Sequence, residues 1–112
     1  MYYVEKQVPI ISGLEVKYLN FHTLTQIRID YINKEIEVNI ASAETLADLQ
    51  NGFRKSINAY MFNYSSIDRT KPIDLTALSL LTQIKGTVFE NCEIKECEEI
   101  VHEEIETDFE EN

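Results

Sequence analysis

The sequence predicts an α+β, mostly β fold: an antiparallel sheet or sandwich with a central β-hairpin at 26–40 and one main helix at about 43–61. Three observations predict it. Apolar residues alternate with polar ones through 26–40, which is the period of a half-buried strand. The period then lengthens to 3.6 after Ser42, as expected of a helix with one apolar stripe. Hydrophobic residues make up 44% of 112 positions, enough for the core of one domain spanning 1–112 and too few residues for two.

The first element is VPIIS, an edge segment limited by Pro9, which cannot donate to a ladder. Gly13 separates it from a strand over about 14–21, where Leu14, Val16 and Tyr18 alternate with Glu15 and Lys17. His22 falls in a polar stretch between strands and reads as a surface residue. In the hairpin, a two-residue turn at Asn33-Lys34 sets Tyr31 opposite Ile36, Ile29 opposite Val38 and Ile27 opposite Ile40. All six apolar side chains then share one face.

Ser42 suits the start of the helix, and Glu44 suits its positive end. Leu46, Leu49, Phe53, Ile57, Tyr60 and Met61 form the stripe that packs on the hairpin, and plain core packing is its ordinary reading. Gly52 weakens this helix by roughly 1 kcal/mol relative to Ala. Residues 62–74 read as a loop. LTALSLL is either a short helix capped by Asp74 or a buried strand, since periodicity does not decide at that length. TQIKGTVFENCEI looks extended. The end, 97–112, fits a strand with Val101, Ile105, Thr107 and Phe109 on one side, or a helix with Cys97, Val101, Ile105 and Phe109 in a thin stripe. The alternation at Thr107 and Phe109 favours the strand.

Charge is distributed unevenly. The net charge is −10, yet residues 1–85 carry nine acids and nine bases. The whole excess sits in the acidic C-terminal segment 86–112, with eleven carboxylates against Lys95 alone. Phosphate contacts need a basic surface, so sequence-specific nucleic-acid binding is not expected. An acidic surface repels nucleic acid, imitates it, or meets a basic protein. No run approaches eighteen apolar residues, so no membrane span is expected. The N-terminus carries no basic-then-apolar leader, and two cysteines make no disulfide scaffold, so a reducing cytoplasm is the expected compartment.

Catalytic and cofactor motifs are missing from the sequence. Gly13, Gly52 and Gly86 are isolated, so there is no glycine-rich phosphate loop. No nucleophile–base set has usable spacing, and no enzyme activity or cofactor is expected. Cys92, Cys97 and His102 are spaced by five. That step puts neighbours on opposite faces of a strand and far apart on a helix, so buried thiols are a better reading than a zinc site.

The candidate site is therefore the acidic face of the last strand, Glu103, Glu104, Glu106, Asp108 and Glu110; from Glu104 on these recur at every second residue, roughly 6.5–7 Å apart, and Glu103 alone breaks the alternation. Val88, Phe89 and Ile94, then Glu103-Glu104-Ile105 and Thr107-Asp108-Phe109, resemble the ending of bacteriophage tail-tube proteins over about 30 residues. Glu106-Thr107 stands where that family often has Pro-Phe. The resemblance implies a virion structural protein assembled in the host cytoplasm. Its partners would be itself, as a ring or tube, and other tail or connector proteins, with acids lining a lumen or a subunit interface. Unpaired sheet edges would be closed by neighbouring copies, with VPIIS and the terminal strand as candidates. The alternative is a small acidic inhibitor or immunity protein that mimics nucleic acid or docks on a basic partner.

Overall fold

The computed structural model describes residues 1–100, apart from the side chains of residues 56 and 57. Its centre is one antiparallel sheet of five strands: β1 (Tyr2–Ser12), β2 (Glu15–Asp30), β3 (Glu35–Ala43), β4 (Lys55–Asn63) and β5 (Ile94–Glu96). Their spatial order is β4-β3-β2-β1-β5. Two helices cover it, α1 (Leu46–Asn51) and α2 (Ile73–Gln83). The α+β, mostly β architecture is thus present.

The central hairpin forms with a register two residues away from the expected one. Ile29 lies opposite Ile36 and Ile27 opposite Val38. Asp30 is the reason: one of its carboxylate oxygens accepts from the backbone N–H groups of Ile32 and Asn33, and the other from the Asn33 amide. This closes a turn on the Asp side chain and leaves residues 31–34 as a four-residue connection, with Lys34 at φ 57°. A shift of two preserves the faces, so Ile36, Val38 and Ile40 are all buried. Ile27 packs beside them, whereas Ile29 and Tyr31 emerge at the exposed end.

The expected helix at 43–61 is overturned. Thr45, not Ser42, caps α1, its side chain accepting from the Asp48 N–H. After six residues Gly52 ends it at φ 85°, in the left-handed conformation that closes helices. The chain then reverses into β4, where Tyr60 and Phe62 pack on the core. Of the predicted stripe, Leu49 is fully buried and Leu46 packs near it. Phe53 and Met61 are exposed, and Ile57 lies in β4.

The longer helix is α2, within which LTALSLL resolves as helical. Pro72 precedes its first turn with no side-chain cap, so Asp74 is not the cap. Its Ala77, Leu78 and Leu81 meet Val4, Ile36, Val38, Ile40 and Phe89 in the main core. Leu49 of α1 forms a second, smaller core with Tyr3 and Ala43. Residues 84–91 are turns and bends rather than an extended strand. The Thr87 hydroxyl donates to the Leu81 carbonyl and the Asn91 N–H to the Thr82 carbonyl, tying the turns to the end of α2. They deliver Phe89 into the core with no exposed surface.

β1 and β2 form the feature that matters most for function. The expected strand over 14–21 and the first hairpin strand are one sixteen-residue strand, β2, bulged between Leu24 and Gln26. β5 pairs only with Tyr2, Tyr3 and Val4. Beyond that point, β1 and β2 continue as a two-stranded arm whose tip is the Gly13-Leu14 turn, with Gly13 at φ 63°.

Candidate functional site

The arm is set by its register. Ile11 lies opposite Val16 and Pro9 opposite Tyr18, while Ile10 opposes Lys17 and Ser12 opposes Glu15. Paired residues share a face, so Pro9, Ile11, Val16 and Tyr18 make one face without a charge. Ile11 is 82% exposed and Leu14, at the tip, wholly so; Val16 and Tyr18 are about half exposed. The outer edge of β1 beyond Val4 carries no partner strand among the described residues. Among the described residues the VPIIS segment is therefore an edge, as its sequence suggested.

The root of the arm is held by His22. Lys6 and Gln7 stand opposite Asn20 alone, a bulge between Glu5 and Val8. His22 Nε2 lies 2.6 Å from the Lys6 carbonyl oxygen, and Nδ1 lies 2.6 Å from Ser42 Oγ. A carbonyl only accepts, so Nε2 carries the proton and, in the neutral ring, Nδ1 accepts from the Ser42 hydroxyl. Burial, the largest influence, pushes the His22 pKa below 6.5, against opposing backbone hydrogen bonds. The ring packs at 4.8 Å against Phe89, tilted by 60°. The expected surface histidine is thus a buried one.

The opposite end of β2 exposes a second set of apolar side chains. Ile29, Tyr31, Ile32 and, on the face of Arg28 and Glu37, Met61 share the lining of a groove of about 400 Å³ with Arg28, Asp30, Glu35 and Glu37. Arg28 sits 3.9 Å from Glu37. Tyr31 packs at 5.7 Å on Tyr64, which in turn lies under Arg69.

The predicted acidic face, Glu103, Glu104, Glu106, Asp108 and Glu110, lies outside the described residues, as does His102. The described part of the acidic segment is tied to the body. Lys95 Nζ donates to Glu5 at 3.2 Å, Arg54 to Glu99 at 3.0 Å, and the Ile100 N–H to the Gln50 carbonyl. Residues 97–100 are in neither helix nor strand. Cys92 borders the main core and Cys97 the smaller one. Burial raises both thiol pKa values, which disfavours the nucleophilic thiolate. Among the described residues no three His, Cys, Asp or Glu side chains gather as a metal site, and no helix is long and apolar enough to cross a membrane.

Comparison with protein-family models, curated proteins and solved structures finds no significant match to this chain. Its geometry is therefore the ground for a functional reading. That geometry offers two exposed apolar surfaces, at opposite ends of one strand. Sequence reasoning singled out the acids and identified VPIIS as an edge, but missed the arm's bare face. The available signal was the alternation of Leu14, Val16 and Tyr18, facing a segment with two adjacent isoleucines.

Proposed function

We propose that this chain is a non-enzymatic structural subunit of a phage-type assembly, a tail-tube, tail or connector component, and that it works by associating with copies of itself and with other assembly proteins. The observation that carries this reading is the β1–β2 arm, which presents an uncharged apolar face and an open sheet edge to solvent. Contiguous exposed apolar patches of this kind mark interaction sites. Covering about 500 Å² of it contributes on the order of 12 kcal/mol at 25 cal/mol per Å². Association costs roughly 4–15 kcal/mol in lost freedom. The arm's own face alone is then marginal, and a stable particle also needs apolar surface from the partner or several contacts per subunit, as a ring or tube provides. The phage-type assignment rests on the resemblance of the C-terminal segment. Its acids line a lumen or a subunit interface, and a lumen so lined repels DNA phosphates.

Sedimentation velocity of the full chain between about 1 µM and 1 mM, with electron microscopy of the concentrated sample, tests this. Mass rising with concentration, with rings or tubes in the images, is the expected result. A monomer throughout the range overturns the reading.

A further inference from the structure

Resting on the assembly reading above, we infer that copies meet head to tail: the β1–β2 arm of one copy seats in the groove at the β2–β3 end of the next. β2 runs for sixteen residues, so its ends lie about 50 Å apart at 3.3 Å per residue. The longest dimension of the molecule is 51 Å. An exposed apolar cluster sits at each end.

At the arm it is Ile11, Leu14, Val16 and Tyr18; at the groove it is Ile29, Tyr31, Ile32 and Met61. Leu14 is fully exposed and Ile32 is 90% exposed. From such exposures each cluster offers on the order of 500 Å², the upper range for a monomer's largest patch. Neither reaches the roughly 800 Å² that one partner gives to a standard interface. Buried against each other they remove about 1,000 Å², the threshold of a specific contact.

Shape selects the pairing. The arm is a projecting ridge two strands wide, and the other end is concave. Two ridges packed together would leave the groove cluster in water, whereas one contact of ridge on groove covers both. Such a contact is heterologous: every copy added presents a fresh arm or groove, so assembly proceeds to a ring or filament rather than stopping at a dimer.

Charge agrees with this arrangement. β5, which carries Glu96, pairs with β1 at Val4, and Val4 lies opposite His22 near the middle of β2. Leu14 at one tip and Asp30 at the other are each eight residues from His22, roughly 26 Å along the chain, so β5 lies well away from both tips. That distance is over twice the screening length of about 8 Å at physiological salt.

The test uses Leu14→Asp, which spoils the arm, and Ile32→Asp, which spoils the groove. Both side chains are exposed, and matching thermal melts confirm the fold; Leu14→Ser and Ile32→Ser serve if either melt shifts. Each variant alone should show association weakened roughly thirty-fold or more. Mixed one to one they should form a dimer and stop there, because one supplies an intact groove and the other an intact arm. If Ile32→Asp assembles like the wild type while Leu14→Asp does not, the arms pair with each other; the inference falls and the assembly reading stands. The inference also falls if both variants associate normally, or if the mixture stays monomeric. A wild-type chain monomeric at about 1 mM removes the assembly reading itself.

Discussion

A histidine with no exposed surface and two 2.6 Å hydrogen bonds is held in one tautomer of its neutral ring. His22 fills the centre of the sheet, satisfies the Lys6 carbonyl at the bulge and packs against Phe89. Replacing it with Ala orphans the Ser42 hydroxyl and the Lys6 carbonyl and opens a cavity. A loss of about 3 kcal/mol is expected from the unmet hydrogen bonds and lost packing, read as a lower urea midpoint. Its pH dependence has a definite sign. The folded pKa lies below the unfolded 6.5 because burial disfavours the charged ring, so the unfolded chain binds the proton first as pH falls. The contribution of His22 is complete above about pH 6.5 and is lost as pH drops from there through the folded pKa. Wild-type urea midpoints should fall between pH 7.5 and 5.5, and the His22→Ala midpoint should fall less; equal slopes would show that the ring titrates normally. Phe89, also fully buried, should cost about 3–5 kcal/mol when cut to Ala, measurable in the same denaturation series. His22 was illegible in the sequence because it stands beside Asn20 and Thr23 in a polar run, and the bulge that gives its Nε2 a partner arises only when β1 pairs with β2.

At the scale of elements, the sequence disclosed what local patterning decides and misled where two patterns coincide. Ile27, Ile36, Val38 and Ile40 alternate cleanly, so the hairpin and its buried face were readable. Its register was not, because Asp30 organises the turn three residues before Asn33. The region 43–61 was misread because Leu49, Phe53 and Ile57 recur every four residues while Tyr60 and Phe62 also alternate. Gly52 arbitrates, since its φ of 85° stops α1. This gives a test whose sign differs between the two readings. Inside a continuous helix, Gly52→Ala stabilises by about 1 kcal/mol. At a left-handed terminus the added Cβ is strained, and destabilisation of about 1 kcal/mol is expected instead. Thermal melts of the two proteins decide it, and a rise in midpoint would contradict the strand assignment for 55–63. The arm was half legible. Pro9 and the alternation at 14–18 announce an edge and a strand, but only the three-residue length of β5 leaves the distal edge open.

The molecule as a whole combines a net charge of −10 with apolar surfaces at the two ends of its longest strand, and these act in opposite directions on association. Like charge repels approaching copies, and the burial of Leu14, Ile32 and their neighbours draws them together. The radius of gyration, 16.0 Å, exceeds the roughly 13 Å of a compact 100-residue domain, as expected when a hairpin projects. Salt separates the two competing accounts of the chain. If copies join through the apolar surfaces at these ends, added salt screens their repulsion while leaving the apolar contact intact, and the Debye length shrinks from about 30 Å at 0.01 M to about 8 Å at 0.15 M. Self-association should therefore strengthen as NaCl rises over that range, with the average mass from sedimentation increasing at fixed protein concentration. A chain that instead works by docking its acids on a basic protein loses affinity over the same range, and its own mass stays constant. Deleting residues 101–112 removes six carboxylates and brings the net charge to −4, so the truncated chain should show the same association with a weaker salt dependence. An unchanged or steeper dependence would mean that charge elsewhere in the molecule governs the contact, and would move the interface away from the apolar surfaces at the ends of β2.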